Sequence, residues 1–554
     1  MSKLEISTKV RRLSNYLSEF EAGLIQIPPF QRDFVWSNDK KKDLLDSLKN
    51  GFPIGSVLLW KPETLIKSDL FVSEEKQLIG GFYIENNNNE FQFILDGFQR
   101  LSTLFGCFID PRKTALKQNT NERKEFDFYY DLKEDKFQLN KKTKSDLEFY
   151  QIPLYHFIDG ESFYDFSTSL VSFGYSEEDK KLFINRYKSF GSKISSYDIP
   201  AIELIGGTVK EAVNIFSRLN SRGEVVSDDW KVSALSFNKE RNFRFGSEID
   251  KLFENLTKYN FYTSQNDKKK KRNLVLQSVL SAFDEEKAYF DIAKTTEELE
   301  KLASEDNFID VSLNALSNFE KTVEFLFNYS LVLNSKFISS QYQLIFIINF
   351  FNKVKSPTET QIDTLKKWFW LTSYSNYFTI YNLADIRVAY KKFNGFIQNE
   401  NKNPIYIAPS IIFKTKVFPK SIDFGSARGS SLALFMVNYS INEDNILNGK
   451  SINSNEIKGV VEYKLFKDEK VSENVVFIVE KKDELNNLIQ KNKDLSFLLS
   501  QEYKGEYSKL FITDEMREAY ADLDNKRVLK LRLQAIMKAE EEFVREKLEI
   551  EYTK

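Results

Sequence analysis

The sequence predicts an α+β protein: strands and helices together at its start, mainly helices in its middle, and a small α+β segment at its end. Three observations carry this. FQFILDGFQRLSTLFGCF (91–108) passes from an apolar run, Phe91 to Leu95, through Asp-Gly to Leu101, Leu104, Phe105 and Phe108 at helical spacing, so it predicts strand, tight turn and amphipathic helix. KEFDFYYDL (124–132) alternates Phe126, Phe128, Tyr130 and Leu132, the period of a half-buried antiparallel strand. From about residue 240 to 400 long helical patterns take over, and residues 405–510 mix short strand-like runs with polar turns. A chain of 554 residues exceeds what one core supports, and the changes of texture divide it into 1–238, 239–400 and 401–554.

Taken in order, Ser7 or Thr8 is expected to cap a first helix carrying Val10, Leu13, Leu17 and Phe20 on one face, with Gly23 stopping it. LIQIPPFQRDFVW (24–36) follows. Ile25 and Ile27 suit a strand, Pro28 and Pro29 force an extended path, and Phe30, Phe34 and Trp36 bracket Gln31 and Arg32 on a stiff strap. Ser37 opens a helix with Leu44, Leu45 and Leu48 that ends at Gly51, PIGSVLLW (53–60) is the next strand, and 61–90 is a loop or long hairpin. IPAIELIGG (199–207) is a further strand. A helix with Val213, Phe216 and Leu219 follows it and breaks at Asn220 to Gly223, and Ser227 caps the next helix, leaving Arg218, Asn220 and Arg222 beside a turn. KKKKR (268–272) is expected to be a solvated loop, QYQLIFIINFF (341–351) and LKKWFWLT (365–372) core helices, and 514–552 one long helix with Leu529, Leu533, Ile536, Phe543 and Ile550 near heptad spacing.

Composition narrows the chemistry. The 42% hydrophobic and 29% charged content is that of a globular protein, and 50 Phe with 26 Tyr predict a large aromatic core. A formal charge of −2 gives no global sign of nucleic-acid or membrane binding, so any such surface is local. No apolar run approaches the roughly 20 residues a spanning helix needs, and the start of the chain has no apolar signal core, so a cytoplasmic protein without a membrane partner is expected. The single cysteine, Cys107, excludes an internal disulfide and any multi-cysteine metal site. The single histidine, His156 in IPLYHFI, excludes a paired-histidine zinc site and is expected to be a packed, hydrogen-bonded residue.

The candidate site is the strand-to-helix junction at 96–100. The first N–H groups of a helix lack internal partners and the helix dipole is positive there, which suits anions. Gly97 admits close backbone approach, Arg100 offers a planar fork for phosphate oxygens, and Asp96 could hold a metal ion. An ordinary turn explains the same residues: Asp96 capping the helix and Arg100 paired with a nearby carboxylate.

Together IPPFQRDFVW, the PIG of PIGSVLLW, LDGFQRLSTL and FSRLNSRG resemble, in the same order over about 200 residues, the N-terminal domain of GmrSD-type restriction systems, a branch of the ParB/sulfiredoxin-like superfamily. The resemblance implies a ParB-like domain with a mixed sheet over residues 1–238, a nucleotide-binding and nucleotide-hydrolysing site, and a role in bacterial defence against phage. Carried over residue by residue, it nominates Asp96, Gln99 and Arg100 as catalytic. Gln31, Arg32, Gly97, Arg218, Asn220 and Gly223 become nucleotide-binding, with Asp96 the ligand of a Mg²⁺ that accompanies the nucleoside triphosphate. The chain departs from the family at Phe98, where glutamine is usual; the change removes one amide from the rim of the site. Many relatives also carry a His-Asn-His nuclease domain, and residues 401–554 resemble its order of elements, but Lys464 and Leu465 stand where relatives have paired histidines. A degenerate nuclease fold follows as the expectation, with cleavage left to a partner effector subunit. Glu462-Tyr463-Lys464 has the Glu-x-Lys spacing of another nuclease class, yet the spacing recurs at Glu74, Glu122 and Glu480 and is background.

The expected function is a defence protein that binds and hydrolyses a nucleoside triphosphate as sensor or switch, acting on or with DNA. Two alternatives stand beside it: a non-hydrolysing adaptor for DNA or a phage protein, and a metal-dependent nuclease acting through Asp96. A homo-oligomer is compatible with either. Sulfiredoxin-like thiol chemistry is not expected, because the motif has no cysteine and Cys107 lies one to two helical turns beyond it.

Overall fold

The computed structural model describes residues 4–28, 34–62, 77–85, 91–141, 147–238 apart from 221–227, 241–283, 292–442 apart from 410, 446–447, 457, 459–480 apart from 468, and 495–554 apart from 506; the side chains of 217–220, 228 and 480 are outside the description. The chain forms two compact units, Met1–Arg244 and Phe245–Lys554. The second takes in both the helical segment and the C-terminal segment of the sequence reading.

The first unit is built on a five-stranded mixed sheet. Its strands are β1 (Glu5–Arg12), β2 (Ile25–Gln26), β3 (Val57–Lys61), β6 (Gln92–Asp96) and β11 (Asp198–Ile205), in the order β1-β11-β3-β6-β2. The β1–β11 and β3–β6 pairs are antiparallel, and the β11–β3 and β2–β6 pairs are parallel. Side chains alternate between two cores. Val57, Leu59, Ile94, Ile199 and Ala201 pack against helices α1 (Leu13–Glu21), α2 (Asn38–Asn50) and α3 (Phe98–Phe108). Leu58, Trp60, Phe93, Leu95 and Leu204 pack against α6 (Val209–Asn220) and α7 (Asp228–Leu235). Two small antiparallel sheets complete the unit: β4 (Gln77–Ile79), β5 (Phe82–Ile84) and β7 (Lys117–Gln118), and β8 (Phe128–Asp131), β9 (Lys136–Leu139) and β10 (Gln151–Pro153). Helices α4 (Gly160–Ser169) and α5 (Glu177–Ser195) cover the latter, where Tyr130, Phe137, Phe157 and Phe190 form an aromatic cluster.

The expected elements at 37–51, 91–108 and 199–207 form as predicted, whereas of the strand expected over 53–60 only the second half forms, as β3 (Val57–Lys61), and 53–56 is a loop. Ser37 Oγ accepts from the Lys40 N–H, and Gly51 takes φ 72° at the end of α2. The first element is different. Residues 5–12 are not the start of a helix: they make strand β1, and α1 begins at Leu13 with no side-chain cap. The β-branched Ile6, Thr8 and Val10 recur at period two, and pairing with β11 outweighs the weak helical spacing of Val10 with Leu13.

The second unit is mainly helical. Helices α8 (Phe245–Leu256), α9 (Gln265–Phe283), α10 (Ile292–Leu302), α11 (Phe308–Ser330), α12 (Gln341–Lys353), α13 (Glu359–Tyr374), α14 (Leu383–Gln398) and α15 (Ala427–Asn442) precede an antiparallel hairpin, β12 (Gly459–Lys464) and β13 (Val475–Glu480), and two last helices, α16 (Asp514–Ala521) and α17 (Asn525–Glu542). Both predicted core helices are buried, α12 from Gln343 to Phe351 and α13 through Leu365, Trp368, Phe369 and Trp370. KKKKR is not a loop. It lies in α9, whose start is held by Ser264 Oγ accepting from the Asp267 N–H at 3.1 Å, and lysine is a good helix former. The expected single helix over 514–552 is broken at Leu523, which adopts φ 61°; Asp524 then caps α17 by accepting from the Arg527 N–H at 2.9 Å.

Candidate functional site

The junction at 96–100 lies where β6 leaves the sheet. Asp96 pairs in register with Leu58, and the ladder slips between Leu58 and Leu59, a bulge that frees the strand end to turn. Gly97 turns it, with φ 94°, and the carbonyl of Gly97 accepts the first bond of α3 from the Leu101 N–H at 2.9 Å. A glycine at this cap has no side chain to offer the first N–H groups of the helix. Asp96 therefore does not cap α3. It ion-pairs with Arg100, Oδ2 accepting from Nη2 at 3.1 Å.

Arg100 unites two of the motifs. Its Nη1 donates to the Ile54 carbonyl at 2.6 Å and its Nη2 to the Ser56 carbonyl at 2.9 Å, so the guanidinium clamps the PIGS loop against the start of α3. Gly55, between those carbonyls, has φ 87°, and a Cβ there would collide with Nη1. The far end of the same loop is held by Tyr197, whose hydroxyl donates to the Phe52 carbonyl. Asp96 is 38% exposed and the Arg100 side chain 18%, so the carboxylate is the member of the pair open to a ligand.

The strap is fastened at both of its described ends. The Ile27 N–H donates to Gln77 Oε1 at 2.8 Å and Gln77 Nε2 returns a bond to the Ile27 carbonyl at 2.9 Å. At the other end the Val35 N–H donates to Gln99 Oε1 at 2.9 Å. Gln99 is buried, so its carbonyl oxygen positions the strap. Phe34 packs edge-on to Phe126, and the Lys41 ammonium lies 4.6 Å from the Phe126 ring and 5.3 Å from that of Phe34 while donating to the Glu125 carbonyl at 2.8 Å. Burial holds this lysine below the usual range, opposed by the Glu125 carboxylate. Phe98 does not stand at a rim. It is buried in the core with Leu101 and Leu104, on the apolar face of α3.

Structure thus brings together Asp96, Gly97, Gln99 and Arg100, and ties Gln99 to the strap at Val35. Gln31, Arg32 and Gly223 lie outside the described residues; Arg218 and Asn220 sit on the last turn of α6, their side chains likewise outside. Sequence reasoning missed Gly55, Gln77 and Lys41 as parts of the site. The glycine of PIG was a usable signal for Gly55, because a glycine between proline and a strand marks a special backbone angle; nothing local marked Gln77 or Lys41.

His156 and Cys107 are packed as expected. His156 Nδ1 lies 2.8 Å from Ser162 Oγ, and Cys107 is buried in α3, where desolvation pushes its thiol up to about 12. Among the described residues no three His, Cys, Asp or Glu side chains gather as a metal site, and no helix is long and apolar enough to cross a membrane.

Residues 13–237 match the family model of the GmrSD restriction endonuclease N-terminal domain, a segment that contains all four motifs. This part of the chain is a GmrSD-type N-terminal domain, which associates the protein with restriction and defence against phage. Over 429 residues the chain is also 20% identical to the uncharacterized protein MJ0686 of Methanocaldococcus jannaschii, covering 72% of this chain and 70% of that protein. A match of that length reaches beyond the 13–237 segment into the second unit.

Proposed function

We propose that the site opening at Asp96 binds a nucleoside triphosphate with Mg²⁺ and hydrolyses it, serving as the sensor or switch of a phage-defence system that acts on or with DNA. The observation that carries this is the gathering of Asp96, Gly97 and Arg100 against the Ile54–Ser56 loop at the uncapped start of α3. The first N–H groups of α3 offer donors to phosphate oxygens, and the remaining N–H groups of Arg100 add a fixed positive charge beside them. Asp96 keeps one carboxylate oxygen for a cation. As a lone carboxylate it fits Mg²⁺ only as one ligand among water and phosphate oxygens, the usual arrangement for magnesium carried in with a nucleotide. Bound there, the ion would offset the negative charge of the phosphates. Lys464 at the end of β12 and Leu465 just after it supply no imidazole, and Leu465 is fully buried, so in this reading DNA cleavage belongs to a partner effector.

A second reading has its own support. Arg100 already serves three protein acceptors, which favours a rigid binding site without turnover and hence a nucleotide-loaded adaptor for DNA or a phage protein. Purified full-length protein incubated with each of the four NTPs and Mg²⁺ separates the two. The hydrolysis reading expects released phosphate, lowered about a hundredfold in Asp96→Asn with the unfolding temperature kept. Arg100→Ala is expected to lose both turnover and the fixed PIGS loop. Saturable binding with no phosphate released would establish the adaptor, and plasmid nicking with metal but no NTP would point to a nuclease at Asp96.

A further inference from the structure

The outer edge of the five-stranded sheet has no proline, bulge or shortness to keep it from pairing, and the charges of Glu5, Lys9, Arg11 and Arg12 are the device it does carry. Edge strands are blunted by proline, bulges, short length or an outward lysine. β1 is eight residues long, pairs with β11 in unbroken register, and contains no proline. Its lysine, Lys9, is neutralised by Glu203 at 2.7 Å, and Arg11 is engaged by Glu203 and Glu19. On the opposite face Ile6 and Val10 are 63% and 68% exposed, with the exposed Thr8 between them, so three β-branched side chains form a strip next to the part of the sheet that α6 and α7 cover.

We propose that this edge is closed by a second copy of the chain, β1 pairing antiparallel with β1 about a two-fold axis at Thr8. In that register the strand from Glu5 to Arg11 is self-complementary. Ile6 falls opposite Val10, Thr8 opposite Thr8, Ser7 opposite Lys9, and Glu5 opposite Arg11, which gives two apolar β-branched pairs and two opposite-charge pairs. Shifting by one residue sets Ile6 against Arg11, and shifting by two sets Lys9 against Lys9 or, although it puts Glu5 against Lys9, carries Arg11 past the end of the paired strand. A two-fold pairing of this kind is closed, so it ends at a dimer with a continuous ten-stranded sheet and no further free β1 edge.

The native chain has one cysteine, and it is buried, so introduced thiols report cleanly. Full-length protein at micromolar concentration is expected to sediment at twice the monomer mass, and Ile6→Lys/Val10→Lys at the monomer mass with an unchanged unfolding temperature, since both side chains are already exposed. A short bis-maleimide is expected to join two copies of Thr8→Cys in high yield, to fail with Val10→Cys alone, and to succeed again with Ile6→Cys/Val10→Cys. A monomeric wild type, a dimer that survives the double lysine variant, or cross-linking of Val10→Cys in preference to Thr8→Cys would each overturn the proposal.

Discussion

Gly55 shows how much of the site rests on single residues. Its φ of 87° and its place beneath Arg100 Nη1 leave a side chain neither backbone angle nor room. Gly51, a few residues earlier, has φ 72° but open space around it, so it isolates the cost of backbone angle alone. Gly51→Ala is expected to cost about 1 kcal/mol. Gly55→Ala should cost about 2–3 kcal/mol, and it should release the clamp between the PIGS loop and Asp96. Urea unfolding of both variants measures the difference, and equal losses would show that Arg100 does not depend on that glycine. His156 supplies a pH test. Burial, reinforced by Arg112, holds its imidazole below the ordinary value of 6.5, so the folded state favours the neutral ring while the unfolded chain protonates first on acidification. The stability this residue contributes is complete above about 6.5 and is lost as pH falls from there toward the folded-state pKa. His156→Gln is expected to flatten the slope of unfolding free energy between pH 7 and 5. With one histidine in the chain, its imidazole resonance can be titrated without assignment.

At the scale of elements, the boundaries that could be read in advance are those fixed by neighbours in sequence. Ser37 and Gly51 bracket α2 because a cap and a left-handed stop act within a few residues, and Asp96-Gly97 turns strand into helix for the same reason. What escaped was decided from afar. β1 owes its existence to β11, Glu5 lying opposite Ile205, and being an exposed edge it shows no alternation of buried and open side chains. The grip of Arg100 on Ile54 and Ser56 uses main-chain carbonyls, which no residue type reveals. The break between α16 and α17 had no glycine or proline to announce it; Leu523 is forced to φ 61° with its side chain 88% exposed, so the strain is not offset by packing. Leu523→Gly should relieve that angle and raise stability by about 1 kcal/mol, whereas Asp524→Ala, which removes the cap of α17, should lower it by a similar amount. Chemical denaturation of the two variants gives opposite signs if the break is intrinsic to the fold. A loss in Leu523→Gly would mean that leucine makes contacts worth more than its strain.

Across the second unit, distant parts of the chain meet on one buried carboxylate. Glu540 of α17 receives two parallel bonds from Arg428 of α15, at 2.8 and 2.7 Å, and one each from the hydroxyls of Tyr374 at the end of α13 and Tyr552 near the end of the chain, at 2.9 and 2.8 Å. Both charged side chains are almost wholly inaccessible, and the carboxylate keeps the Arg428 guanidinium charged against the cost of burial. Another buried guanidinium of this unit, Arg532, has among the described residues the carbonyls of Glu473, Val475 and Leu510 as acceptors, and desolvation lowers it to about 9. The contrast predicts how the Glu540 cluster fails. Removing one partner strands an ion in an apolar interior, so Glu540→Leu and Arg428→Met alone should each cost about 3–5 kcal/mol. Removing both leaves no buried charge. Only the two tyrosine hydroxyls then lose an acceptor, and the double variant should recover to within about 2–3 kcal/mol of the native protein. A double-mutant cycle by urea unfolding, with hydrogen exchange following α13, α15 and α17, reads this directly. Additive losses would mean that the helices are held by their aromatic packing, Trp370 and Tyr374 against Phe543, and that the ion pair contributes register without stability.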